Sequence, residues 1–148
     1  MVSVEERTTG LNRLIRGELS AVETYRQVLD KMKDAPEAVE LHALLVEHRA
    51  AVQMLREHVV QRGGTPANNS GAWGAWAKFT QGTANLFGDA SALKSLKEGE
   101  EHGLKDYMEG ADDIDATSEE LVRNQLIPAQ QRHINLLDQL IGTVGRSA

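Results

Sequence analysis

Two segments of this chain place an acid and a tyrosine at the same spacing. Residues 17–25 read Gly-Glu-Leu-Ser-Ala-Val-Glu-Thr-Tyr, and residues 99–107 read Gly-Glu-Glu-His-Gly-Leu-Lys-Asp-Tyr. In each copy a glutamate, Glu18 or Glu100, precedes a tyrosine by seven residues, and the copies are offset by 82 residues (100 − 18). Seven residues make about two turns of a helix, so the two side chains share one side of it. Because leucines occupy that side too, we expect both glutamates to face a core.

Two histidines occupy comparable apolar stripes elsewhere in the chain. His48 follows Leu45 by three residues, and His133 precedes Leu137 by four. A buried carboxylate needs a partner, which can be a cation, a histidine, a tyrosine hydroxyl or a metal, because burying an unpaired charge is costly. Two glutamates and two histidines supply oxygen and nitrogen donors that suit iron, manganese or zinc. The predicted metal ligands are Glu18, His48, Glu100 and His133.

The same residues also fit a structural network without an ion. A buried glutamate can pair with a histidine, or with Tyr25 or Tyr107. The competing hypothesis is therefore a non-catalytic, metal-free bundle that acts through self-association or partner binding. The sequence selects no substrate or reaction.

Four segments carry apolar residues at intervals of three and four, which is typical of amphipathic helices. The predicted helices span residues of about 8–33, 36–62, 90–110 and 118–143. Gly63-Gly64 is expected to end the second helix, because glycine readily adopts the left-handed conformation there. Pro128 lies inside the fourth helix and predicts a local kink. We predict an all-α protein with a single domain over residues 1–148, a four-helix bundle whose long crossover spans residues 63–89.

Composition excludes several classes of function. The chain has 148 residues and no cysteine, which rules out disulfides and thiolate metal sites. A net charge of −6 argues against binding to nucleic acid. No apolar run is long enough to span a bilayer. Residues 1–9 lack the apolar stretch of a signal peptide, so we expect a cytoplasmic protein.

The aromatic segment Trp73 to Phe87 contains every tryptophan and phenylalanine of the chain. We predict that it forms a short aromatic helix within the crossover. The segment has one cationic residue, Lys78, whereas helices that lie on a membrane surface usually carry several lysines or arginines. This composition argues against membrane binding. A large exposed apolar patch is unusual on a monomer, so we expect the segment to cover the open side of the bundle or to form a homodimer.

Several short motifs occur in an order and spacing that resemble a known family. They are LNRLI at 11–15, EHRAA at 47–51, GGTP at 63–66, SG at 70–71 and GEE at 99–101. With the later Tyr107, these motifs resemble a bacterial family of ferritin-like bundles classed as a domain of unknown function. The resemblance implies a ferritin-like four-helix bundle and no established reaction.

Diiron members of the ferritin-like superfamily carry the pattern Glu, Glu-x-x-His, Glu, Glu-x-x-His over their four helices. The resemblance matches four of the six positions with Glu18, His48, Glu100 and His133. Leu45 and Gln130 stand where the two bridging carboxylates would be, which argues against a diiron oxidase or ferroxidase. Glu47 lies about 100° around its helix from His48, and we expect it to face solvent. The first functional hypothesis, based on the layer of two glutamates and two histidines, is metal binding with a role in iron handling or stress.

Overall fold

A computed structural model describes the backbone of residues 3–71 and 74–147 and the side chains of residues 3–71 and 88–144. The helices are α1 (Val4–Met32), α2 (Ala38–Gln61), α3 (Gly74–Gly110), α4 (Ala116–Leu121) and α5 (Ile127–Ser147). A short 3-10 turn, Ala111–Asp113, follows α3, and a π-helical segment, Val122–Leu126, joins α4 to α5. The prediction of an all-α fold is confirmed, since the described backbone contains no strand. None of these helices, as far as they are described, has the length and apolar character needed to cross a membrane.

Two helices begin earlier than the apolar pattern indicates, because polar side chains cap them. Ser3 accepts a hydrogen bond from the backbone amide of Glu6 at 3.1 Å, so α1 begins at Val4. Asp115 accepts a hydrogen bond from the backbone amide of Ser118, also at 3.1 Å, so α4 begins at Ala116. Such caps satisfy amides that have no partner within the helix, and they can lie ahead of the first apolar residue.

The end of α2 has the geometry that its two glycines predict. Gly63 has a φ of 80°, in the left-handed region. Its backbone amide donates to the carbonyl of Val60 at 2.9 Å, and the amide of Gly64 donates to the carbonyl of Val59 at 3.0 Å. These paired hydrogen bonds form the glycine-terminated cap that closes many helices.

Helix α3 is interrupted near the predicted start of the third helix. Gly88 has φ 79° and ψ −163°, so the helical backbone is broken there. The side chains of residues 72–87 lie outside the described part of the chain. The short aromatic helix and the homodimer through Trp73 to Phe87 therefore stay predictions.

The helices pack so that α1 contacts α2 and α3, while α3 also contacts α5. Asn12, near the start of α1, donates to the carbonyl of Thr65 at 3.1 Å and accepts from the amide of Ala67 at 2.7 Å. Since Thr65 and Ala67 follow the end of α2, these bonds show that α1 and α2 are antiparallel. Helices α2 and α5 approach each other much less closely, which leaves a groove between them.

The predicted kink at Pro128 takes the form of a π turn just before it. The amide of Ile127 donates to the carbonyl of Val122, five residues back. A proline inside a regular helix lacks an amide and crowds the carbonyl four residues before it. The wider π turn accommodates that disruption, and such turns are often found beside functional sites.

The buried apolar residues form two clusters with a polar layer between them. The first apolar cluster includes Val22, Tyr25, Val28, Met32, Leu41, Leu44, Leu45, Leu93, Leu96 and Leu137. The second apolar cluster includes Leu11, Leu14, Ile15, Leu55, Val59, Tyr107, Leu121, Val122 and Leu126. In α1, Glu18 lies between Ile15 of the second cluster and Val22 of the first. Charges in this layer are thus enclosed by apolar packing from both ends of the bundle.

Candidate metal centre

His48 lies between the two glutamates of the repeated segments. Its Nδ1 is 2.6 Å from Oε2 of Glu18, and its Nε2 hydrogen-bonds with Oε1 of Glu100. All three side chains are buried. An imidazole donates from both nitrogens only when it is protonated, so an imidazolium bridging two carboxylates best fits this arrangement.

Each tyrosine of the repeat binds the glutamate of the other copy. The hydroxyl of Tyr25 donates to Oε1 of Glu100 at 2.8 Å, and that of Tyr107 donates to Oε1 of Glu18 at 2.5 Å. Burial, followed by the carboxylate that each one contacts, raises the pKa of both tyrosines well above the usual value. Both hydroxyls thus stay protonated and link α1 to α3 through crossed hydrogen bonds.

His133 connects this network to the surface. Its Nδ1 is 3.1 Å from Oε2 of Glu100, and its Nε2 is 3.2 Å from Oε1 of Glu47. The side chain of Glu47 is 46% exposed and lies 3.7 Å from the guanidinium of Arg132. Helical periodicity did not reveal the contact with Glu47, because that contact joins α2 to α5.

Three of the four predicted ligands bring donor atoms together. One donor atom each from His48, Glu100 and His133 lie within 4.8 Å of one another, and all three residues are buried. Donors around a single ion at about 2.1 Å lie roughly 3–4 Å apart, so a small inward movement would complete a three-ligand set. Glu18 is held at the other nitrogen of His48, and its assignment as a ligand stays a prediction.

Comparison with known families finds one that matches most of the chain. DUF2383, described as a domain of unknown function, matches residues 6–113. The chain belongs to the DUF2383 family. A search of curated proteins found no match to this DUF2383 chain.

A solved structure of another protein has the same fold as this DUF2383 chain. It comes from Bacillus anthracis and is described as "ferritin like, diiron-carboxylate proteins". The two chains are 18% identical and align with a TM-score of 0.73, over 93% of this chain and 96% of the other. At that identity the likeness shows the fold, so the ferritin-like bundle is confirmed.

Among the described residues of this DUF2383 chain, the two positions expected to bridge a metal pair carry no carboxylate. Leu45 belongs to the first apolar cluster. The amide nitrogen of Gln130 donates to the backbone carbonyl of Glu100 at 3.0 Å. Gly103 leaves room for that amide, because a Cβ there would lie 2.6 Å from it. The two positions expected to bridge a metal pair are thus occupied by an apolar side chain and by an amide with a structural role.

The electrostatics of the layer favour a charged Glu100 and a protonated His48. Burial alone would raise the pKa of Glu100, but His48 and His133 lower it to about 2. Burial alone would lower the pKa of His48, yet the carboxylates of Glu100 and Glu18 raise it well above its usual value. In the metal-free protein, protonated His48 therefore supplies the positive charge between the carboxylates of Glu18 and Glu100.

Two openings of different size reach the layer. On the side of α1 and α3, a cavity of about 30 Å³ is lined by both glutamates, both tyrosines and the small residues Gly17, Ala21, Gly99 and Gly103. That volume holds one or two waters. On the side of α2 and α5, a groove of about 340 Å³ reaches Glu18, His48 and His133.

Removing either tyrosine hydroxyl should weaken the bundle. We expect Tyr25→Phe and Tyr107→Phe each to lower the free energy of unfolding by about 1.5–3 kcal/mol, because each leaves a buried carboxylate short of a donor. Urea denaturation of the metal-free protein at pH 7 measures the change. Unchanged stability in both variants would contradict the crossed hydrogen bonds.

Proposed function

We propose that this DUF2383 domain binds one divalent transition-metal ion through His48, Glu100 and His133. The observation that carries the proposal is the convergence of three buried donors from three helices within 4.8 Å. Two histidines and one carboxylate form a donor set found in non-haem iron sites, and it also suits manganese and zinc. Three protein ligands would leave positions on the ion for water or for a small molecule.

The residues around the candidate ligands support this proposal. To bind a metal through Nε2, His48 must give up a proton, and Glu18 would then accept a hydrogen bond from its Nδ1. Such a carboxylate fixes the tautomer of a ligating histidine. A bound ion would supply a Lewis acid, and iron or manganese would also supply a redox centre. The groove between α2 and α5 would admit small molecules, which suits a role in iron handling or stress.

Metal binding is tested with the purified protein. After growth in medium containing iron, manganese and zinc, we expect about one ion per chain by elemental analysis. His133→Ala should weaken the affinity at least about 100-fold, since losing a residue that only holds a ligand in place already costs about 10–100-fold. His42→Ala removes an exposed histidine from α2 and should bind as the wild type does.

The outcome separates this proposal from the alternative. A wild-type protein that stays metal-free in saturating iron, manganese and zinc would overturn it. That result would favour a metal-free bundle that acts through self-association or partner binding. The alternative is motivated by the closed hydrogen-bond network, in which His48 already bridges the two carboxylates without an ion.

A further inference from the structure

The groove between α2 and α5 is the wide approach to the candidate centre among the described residues. One wall comes from α2, and the other comes from the π-helical segment and α5. The lining includes Glu47, Ala50, Met54, Asn124, Gln125 and Arg132. At about 340 Å³ it can hold a hydrated cation, whereas the opposite cavity has room for only one or two waters.

Glu47 lies in this groove between solvent and the buried His133. Its carboxylate contacts the buried His133 at 3.2 Å, while nearly half of its side chain is exposed. Glu18 and Glu100, the other carboxylates of the network, are buried. Glu47 therefore has one side on solvent and the other on a candidate ligand.

We propose that Glu47 captures the divalent cation from solvent at the mouth of the groove, from which the ion moves past His133 to the candidate centre. The inference rests on the proposed function. A carboxylate at the mouth lets the ion exchange its water ligands one at a time for protein oxygen and nitrogen. Capture by Glu47 avoids bringing a fully hydrated ion into the apolar surroundings of the buried layer.

Arg132 opposes the capture of a cation by Glu47. Its side chain is 66% exposed and its guanidinium lies 3.7 Å from Glu47, so it partly neutralises the carboxylate and repels an incoming cation. The charges of Glu18 and Glu100 lie deeper and attract the ion once it has passed. Glu47 should speed uptake and Arg132 should slow it.

An experiment on uptake rate separates capture from ligation. Metal-free protein is mixed rapidly with Co²⁺, and the change in visible absorption is followed. Glu47→Gln keeps a hydrogen-bond acceptor for His133 but removes the charge, and we expect it to slow uptake about tenfold, within the range of electrostatic steering. Arg132→Gln should speed uptake several-fold. Bound cobalt per chain should equal the wild-type value in both variants.

Glu101→Gln is the matched control, because it removes the same charge from an exposed position on α3. It should take up cobalt at the wild-type rate. The capture role would be overturned if Glu101→Gln and Glu47→Gln slowed uptake equally. It would also be overturned if Glu47→Gln took up cobalt within twofold of the wild-type rate. Neither result would contradict metal binding itself. Loss of bound cobalt in Glu47→Gln would also overturn the capture role, by making Glu47 a permanent ligand. A wild type that binds no metal would overturn the proposed function as well.

Discussion

Replacing His48 with glutamine should lower the free energy of unfolding of the metal-free protein by about 3–5 kcal/mol, as expected when a buried ion pair loses one partner. The histidine contacts Glu18 through one ring nitrogen and Glu100 through the other. A neutral amide cannot balance two carboxylates that are enclosed between two apolar clusters. Urea denaturation at pH 7 gives the change in stability.

The matched control for this substitution lies on the same helix. His42 is exposed, so His42→Gln should change the stability by less than about 0.5 kcal/mol. The double variant Glu18→Gln, His48→Gln also removes one of the two carboxylates left unpaired by His48→Gln. It should recover part of the loss, which would show coupling between the two positions. Equal stability of His42→Gln and His48→Gln would contradict the bridging role of His48.

Acid should remove about 3 kcal/mol of stability from the metal-free protein between about pH 4.5 and pH 2. The pKa of Glu100 falls from 4.5 to about 2 on folding, and each unit corresponds to about 1.4 kcal/mol. A pKa that is lower in the folded state means that the unfolded chain takes up the proton first. The contribution of Glu100 is therefore fully present above about pH 4.5, and it is lost as the pH falls toward 2.

His48 and Asp115 also affect how the stability of the metal-free protein depends on pH. His48 is protonated in both the folded and the unfolded protein throughout the acid window, because its folded pKa is raised. Its contribution is lost only on the alkaline side, as the pH rises through the folded value. Burial alone would raise the pKa of Asp115, but Arg62 and Ser118 lower it. Asp115 therefore adds a smaller loss of stability in acid, because solvent screens its partly exposed ion pair.

Denaturation midpoints measured from pH 2 to pH 7 test the acid prediction. Glu100→Gln should be less stable than the wild type at pH 7 and should show a flatter acid limb. Asp115→Asn removes the contribution of that second carboxylate and should leave most of the limb in place. An acid limb that is as steep in Glu100→Gln as in the wild type would contradict the prediction.

The helical character of the chain and the inner faces of its helices follow from local chemistry. Apolar residues repeat with the period of a helix, and the same period places Glu18, His48, Glu100 and His133 among buried neighbours. All four are buried in the structure. Gly63 ended α2 as expected, because its conformational freedom is a property of the residue itself. Helices α1 and α4 begin before residues 8 and 118, where the sequence predicts their starts, because Ser3 and Asp115 cap them.

Only the tertiary structure decided which atoms meet. The crossed bonds from Tyr25 to Glu100 and from Tyr107 to Glu18 depend on the relative height and rotation of α1 and α3. The same holds for the contact between Glu47 and His133, which spans the groove between α2 and α5. Helical periodicity fixes the direction of a side chain on its own helix and carries no information about shifts between helices. A change of a few ångströms along one helix axis would separate these partners, so packing of the whole bundle determines the candidate centre.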